Sequence, residues 1–385
     1  MNPSIIGWSH LPFGRLDDSL EAMIIKVARG AIADAGISSN EVDAMWLGHF
    51  NSGLVPDGFP ASLMIQADEG LRWKPATRVE NACASGSAAI YSAINAIKAG
   101  EADIALVVGA EKMTNNSTAD VTTALGGASY QKEEAGSSFP QIFAQFAQAY
   151  FEEFGDRSST LATIAAKNHA NGTKNPLAHM RKDVGFEFCN TVSDKNPMVA
   201  EPLRVTDCSL ISDGAAAIVI ASDDVARSHD KAIRFRSTAH IQDILPMSRR
   251  KLTDFEGPAK AFASAFDQAG ISVNDLDFAE IHDCFTIAEL LVYEAMGLAP
   301  KGEGATVLDD GTVFPDGALP INLSGGLKAK GHPVGATGVS MHVMTAMQLA
   351  GEAGDLQKQD ADLGCVFNMG GSGVANYCSV LERRN

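Results

Sequence analysis

The chain contains a copy of part of itself. Ala31–Asp43 reads AIADAGISSNEVD, and 234 residues further on Ala265–Asp277 reads AFDQAGISVNDLD. Each copy reads as a helix end closed by Ala-Gly, then Ile-Ser, then an Asn and an acid that open a short second element. Each leads into a strand-like run, Ala44-Met45-Trp46-Leu47-Gly48 in one case and Phe278-Ala279-Glu280-Ile281-His282 in the other. A fainter echo follows in the same order, ADIALVV from Ala102 and ADLGCVF from Ala361, offset by 259 residues. Both of these apolar runs follow a helical stretch and read as buried parallel strands. Two matches in one order predict a duplicated α/β unit, with extra residues between the echoes of the second half. A chain of 385 residues, 45% of them hydrophobic, is long enough for two or three domain-sized units around a large core.

One stretch has a different texture. From about Val121 to Ala200 the chain is polar and irregular, with Gly126-Gly127, Gly136-Ser137-Ser138 and Asn175-Pro176. It reads as an insertion between the last strands of the first half, and long functional loops commonly cover an active site. The first half resumes at Asp213-Gly214 and the apolar run Ala215 to Ala221, and the polar break Asp223 to Lys231 ends it. The expected division is 1–120 plus 201–227 for the first half, 121–200 for the insertion and 228–385 for the second half.

A net charge of −17 offers no basic field for phosphates, so a nucleic-acid partner is not expected. One local exception runs from Phe154 to Gly185, where Arg157, Lys167, Lys174, Arg181 and Lys182 outnumber Asp156 and Asp183. Such an island is ordinarily a solvated face, but it could receive a polyphosphate. The six cysteines are scattered, with no CxxC pair and no zinc spacing, so no metal is expected and the thiols read as those of a reduced, cytoplasmic protein. The first cation is Arg15, which argues against a leader, and no apolar run approaches the ~20 residues of a membrane helix. The last four residues, Glu382 to Asn385, are not a peroxisomal address.

Four segments could carry chemistry. Cys83 lies in Asn81-Ala82-Cys83-Ala84-Ser85-Gly86-Ser87, between a strand-like run and a long helical pattern. A helix N-terminus lowers a thiol's pKa, although a free cysteine is more often an inert core residue. His332 lies in Gly331-His332-Pro333-Val334-Gly335-Ala336-Thr337-Gly338, at a second predicted helix start, where an imidazole can take a thiol proton or donate to an oxyanion. His282-Asp283-Cys284-Phe285 ends the repeated strand and offers a second thiol beside a His and an acid. Asn368-Met369-Gly370-Gly371-Ser372-Gly373 follows a buried strand, and amides in such a turn can form an oxyanion hole.

Together, in this order and over nearly the whole chain, these segments resemble the thiolase family. Asn81 to Ser87 is similar to its nucleophile motif and Gly331-His332-Pro333 to its GHP motif. Asp207 to Ala217 resembles its pantetheine-loop segment, with Ser209 on the position that contacts pantetheine. The better-known branch has Asn-Glu-Ala-Phe where this chain has HDCF, and a catalytic Cys before the last glycine run, where this chain has Phe367-Asn368-Met369. Both departures are similar to the sterol-carrier-protein-2 type, in which the HDCF cysteine takes the acid/base role. The resemblance implies an α/β fold of two duplicated halves in a five-layer αβαβα arrangement, with helices between two mixed sheets. It implies an acyl-CoA C-acyltransferase with Cys83 as nucleophile, His332 as base, Cys284 as acid/base and His282 with His332 on the enolate oxygen. Gly370 and Gly371 would supply oxyanion-hole amides, and Ser209 and Gly331 would bind substrate. Coenzyme A would be a substrate or product held by the insertion, with no tightly bound cofactor. Homodimers or homotetramers are usual in the family, and some relatives use a small accessory protein. The competing readings are a thiolase-like acyltransferase or retro-aldolase on another substrate, or a non-catalytic subunit that binds acyl-CoA.

Overall fold

The structure is a computed structural model that describes residues 2–384. The chain begins with β1 (Ser4–His10), α1 (Leu20–Asp34), β2 (Ala44–Gly48), β3 (Ala76–Val79), α2 (Ser85–Lys98) and β4 (Ile104–Glu111). It then builds α3 (Thr118–Gly126), α4 (Gln131–Glu134), α5 (Phe139–Phe154), α6 (Ser158–Lys174), α7 (Phe186–Asn190) and a hairpin of β5 (Met198–Ala200) and β6 (Leu203–Arg204). Next, β7 (Gly214–Ala221) returns to the main sheet, and α8 (Asp223–Ala226) crosses to β8 (Ile233–Gln242). The remainder is α9 (Glu256–Ala269), β9 (Phe278–Ile281), α10 (Thr286–Ala295), α11 (Thr306–Asp309), α12 (Gly326–Lys330), α13 (Val334–Ala350), β10 (Leu363–Gly370) and β11 (Ala375–Arg383).

The repeated sequence folds the same way twice, down to single hydrogen bonds. Both α1 and α9 give way to a glycine in the left-handed region, Gly36 and Gly270, where a side chain would be strained. Each is followed by a one-turn helix with a capping box, Ser38 with Glu41 and Ser272 with Asp275. The last Asp of each copy then does one job: Asp43 accepts from the amides of Asp103 and Ile104, and Asp277 from those of Asp362 and Leu363. That bond ties the end of each copy to the start of the echo strand, β4 or β10, which explains why both stretches echo.

Sheet topology repeats the duplication. In the order β3-β2-β4-β7-β1, β2 and β4 are parallel while β7 and β1 are antiparallel neighbours. In the order β9-β10-β11-β8 the same directions recur. Where β3 flanks β2, Ile321 makes a single parallel bridge to Ala279 of β9. The two mixed sheets join edge to edge through Ser4↔Arg234 and Ile5↔Ile233, so the strands form one continuous bent sheet.

Side-chain alternation sets the layers. Leu106, Val108, Val219 and Ala217 face outward onto Met23, Ile24 and Val27 of α1. Ala105, Val107, Ala216 and Ile218 face inward and share a second core with α2, α13 and the other sheet. The stack is therefore α1, sheet, α2 with α13, sheet, α9. The central helices touch backbone to backbone: a Cβ on Gly86 would lie 2.8 Å from the amide nitrogen of Val339, and one on Gly338 would lie 2.3 Å from that of Ser87. This contact sets the N-termini of α2 and α13 side by side.

The stretch 121–200 corrects the expectation of irregular chain. It contains the 16-residue α5 and the 17-residue α6. The polar texture is misleading because the inner face of α6 is apolar only at its start, with Leu161, Ala162, Ile164 and Ala165, and then buries Lys167, Asn168, His169 and Asn171.

Candidate active site

Cys83 stands on a strained turn between β3 and α2. Ala82 before it has φ 50°, a left-handed angle that costs a residue with a side chain about 1–3 kcal/mol. Neighbours fix the turn. The Ala82 amide donates to Glu80 Oε1 at 2.6 Å, the Asn81 amide to Ser85 Oγ at 2.9 Å, and Ser85 Oγ back to the Ala82 carbonyl at 2.7 Å. The nearby amides of Gly371 and of Cys83 itself favour the sulfur's anion. Burial outweighs them, and the thiol is pushed up to about 12. This overturns the expectation of a lowered value: the helix start is present, but the half-buried sulfur sits on a largely apolar cavity wall that disfavours its charge.

His332 is set between Gly331, at φ 112°, and Pro333, just before α13. Its Nδ1 lies 2.7 Å from Thr337 Oγ1, and that hydroxyl donates to the Pro333 carbonyl. The hydroxyl can therefore only accept from Nδ1–H, which leaves Nε2 as a bare lone pair. Nε2 is buried without a protein partner. Burial, reinforced by the charge of Lys330, pulls His332 down to about 3, so the ring is neutral. His282 follows β9, and its ring meets that of His332 edge to face at 5.2 Å. Burial and then His332 lower its pKa as well.

The Cys83 sulfur and a nitrogen from each of these rings lie within 4.8 Å of one another, and this is the one group among the described residues close enough to hold a metal ion. Cys284 is buried on the same cavity, its thiol raised by burial, then by Cys83 and Asp283. At rest the site thus holds protonated thiols and neutral imidazoles.

A cavity of about 260 Å³ is lined by Cys83, Cys284, His332, Ser209 and Gly371. Leu125 of α3, Phe139 and Pro140 of α5, and Val199 of β5 wall it from the inserted stretch. Val199 and Val205 are nearly half exposed at this wall, giving it an apolar rim. The Ser209 amide donates to the Cys284 carbonyl at 2.9 Å, so the two cavity walls are tied together. Gly370 instead lines the neighbouring cleft with Gly371, and Gly331 packs against Ser212 and Phe13. The basic island is dispersed. Lys167 is buried and paired with Glu289 at 2.8 Å, whereas Lys174, Arg181 and Lys182 are exposed.

The sequence reading missed a charged layer behind the HDCF segment. The Asp283 carboxylate accepts from the amides of Leu327 and Lys328 and from Asn168 Nδ2. Asn168 also donates to Glu289, and Lys328 Nζ donates to the Cys208 carbonyl at 2.6 Å. Burial pushes Asp283 up to about 7, the neighbouring Glu289 adding to it. The acid within HDCF and the two lysines before Gly331 were the available signal.

Comparisons with known proteins agree along the whole chain. The family described as "Thiolase, N-terminal domain" matches residues 4–224, and "Thiolase C-terminal domain-like" matches 239–383. An acetyl-CoA acetyltransferase of Methanothermobacter thermautotrophicus is 40% identical over 99% of both chains. Sterol carrier protein 2 of Homo sapiens is 31% identical over 91% of this chain and 65% of its own length. Among solved structures, one described as an Ltp2-ChsH2(DUF35) aldolase superposes with a TM-score of 0.83 at 21% identity, over 99% of this chain and 98% of its own. That likeness concerns the fold.

Proposed function

The chain belongs to the thiolase family, and on that premise we propose that it is an acyl-CoA C-acyltransferase that carries the acyl group on Cys83. One observation carries the reading. Cys83, His282 and His332 converge within 4.8 Å of one another, and Cys83 and His332 line a cavity with Cys284.

In thiolysis, the Cys83 sulfur attacks the 3-keto carbon of a 3-ketoacyl-CoA as its proton passes to His332 Nε2. The adduct's oxyanion takes the amides of Cys83 and Gly371, the pair that favours the sulfur's anion. Its collapse breaks the carbon–carbon bond and releases an acetyl-CoA enolate. The enolate oxygen lies with His282 and His332, and Cys284 gives its proton to the enolate carbon. The Cys284 thiolate so formed takes the proton of incoming coenzyme A. The sulfur of coenzyme A attacks acyl-Cys83, and His332 returns its proton to the departing sulfur. Condensation is the reverse. Neutral starting groups suit this sequence, because each charge appears only as a bond changes.

The relatives named acetyl-CoA acetyltransferase support acetyl-CoA as one substrate. The apolar cavity walls support a pantetheine arm entering beside Ser209, with coenzyme A coming and going as a substrate. Self-association as a homodimer has support in β3, which ends the sheet with an unpaired edge beside Trp73, 86% exposed. Sedimentation of the purified chain as a monomer would overturn it.

The test of function is intact-mass spectrometry after mixing with acetoacetyl-CoA. An acetyl adduct that maps to Cys83 is expected. An unmodified protein would favour a non-catalytic subunit, and modification at another residue would remove the nucleophile assignment. Acylation only on adding an accessory protein would make such a partner obligatory.

A further inference from the structure

Building on the thiolase reading, we infer that Asn368 is a positioning residue: it fixes the tautomer of His282 and so supplies the site with a second, oppositely protonated imidazole.

Asn368 stands on β10, fully buried. Its Nδ2 lies 3.2 Å from the Cys83 carbonyl oxygen and 2.9 Å from His282 Nδ1, and its Oδ1 accepts from Ser87 Oγ at 2.7 Å. These partners fix the orientation of the amide. Reversing it would press Oδ1 against the Cys83 carbonyl with no proton between the two oxygens. The NH₂ group therefore faces Cys83 and His282. It can only donate, so His282 Nδ1 can only accept, and the one proton of the neutral ring sits on Nε2. Nε2 is buried and has no protein partner.

His332 is the mirror case, since Thr337 Oγ1 leaves its Nε2 bare. Two edge-to-face rings thus present one lone pair and one N–H. The lone pair suits the Cys83 proton, and the N–H suits an enolate oxygen. The same assignment argues against Cys83, His282 and His332 as a metal site despite their spacing. A metal needs a free lone pair on His282, and with Nδ1 accepting from Asn368 and the proton on Nε2 neither nitrogen offers one. The surroundings leave Asn368 no freedom. A Cβ on Gly338 would lie 2.6 Å from its Oδ1 and 2.5 Å from Ser87 Oγ, so the helix crossing itself encloses the clamp.

The experiment is nitrogen NMR of protein labelled with ¹⁵N-histidine, with the His282 signals assigned by their loss in His282→Gln. The wild type is expected to show an unprotonated Nδ1 and a protonated Nε2. Asn368→Asp keeps the shape but replaces the donor with an acceptor, and is expected to move the proton to Nδ1. In that variant, exchange of acetyl-CoA methyl protons should fall by a factor on the order of 10² to 10³. A protonated Nδ1 in the wild type overturns the inference, as does an unchanged tautomer in Asn368→Asp. So does full exchange of the methyl protons in a variant whose tautomer has moved. The wild-type spectrum does not depend on Asn368→Asp, so the inference stays testable if that variant does not fold. Absence of Cys83 acylation in the wild type would instead refute the thiolase reading, leaving the tautomer to the spectrum.

Discussion

Cys83 and Cys284 open on one cavity, yet their surroundings prepare them for different steps. Backbone amides favour the anion of both, but the Cys83 thiol is pushed up to about 12, whereas Cys284, raised by burial, then by Cys83 and Asp283, is held further from ionisation. Cys83→Ala should abolish acylation by acetoacetyl-CoA. Cys284→Ala should leave acylation measurable and stop the exchange of acetyl-CoA methyl protons with solvent. Exchange that survives in Cys284→Ala would move the acid/base role elsewhere. The pH response of acylation follows from the neutral pair. His332 is held at about 3 and Cys83 at about 12, so neither titrates near neutrality. Single-turnover acylation should be flat across that range, and a step near 6.5, the ordinary histidine value, would show that burial does not hold the ring neutral.

At the scale of elements, two contacts position the chemistry. The first is the crossing of α2 and α13, which brings Cys83 to His332. Gly338→Ala would force the helices apart, since the new Cβ would lie 2.3 Å from the Ser87 amide nitrogen. A displacement of about 1 Å at the reacting atoms can cost on the order of 10²-fold, and a loss of that size in acylation is expected. The second is the seating of α6 on α10. Lys167 and Glu289 pair at 2.8 Å with no exposed surface, and Lys167 also donates to the Ile321 carbonyl. Lys167→Met would leave Glu289 buried and uncompensated, at an expected cost of about 3–5 kcal/mol in urea unfolding. A loss under about 1 kcal/mol would mean that the pair is not what seats the helix.

At the scale of the whole molecule, histidine burial makes acid the vulnerable direction. His10, His169 and His332 are held at about 3 and His342 at about 4, in each case chiefly by burial. Unfolded, each would titrate near 6.5. Between these values the unfolded chain binds protons that the folded chain refuses. Stability is therefore full above about 6.5 and lost as pH falls towards the folded values. Asp283, raised to about 7, works the other way: its contribution is full below its unfolded value and lost as pH rises through 7. Four groups outweigh one. The urea midpoint should fall steeply from pH 6 to 4, with net proton uptake on unfolding. A midpoint that does not change over that interval would contradict the burial of these rings.

The duplication, the turn before α2, the GHP loop and the HDCF strand end could all be read along the chain. Each depends on neighbours within a few residues: a glycine that takes a left-handed angle, a cap, an alternating apolar run. The sequence could not show that α6 is a helix with a lysine on its inner face, because Lys167 looks like any surface lysine until Glu289 meets it. It could not show that Cys83 rests as a thiol, since loss of water is a property of the surroundings. Nor could it show the tautomers of His282 and His332, which depend on partners at 368 and 337. The residue types that do the chemistry were set by the sequence. Their protonation was set by the fold, because proton affinity depends on burial and on partners brought together from distant parts of the chain.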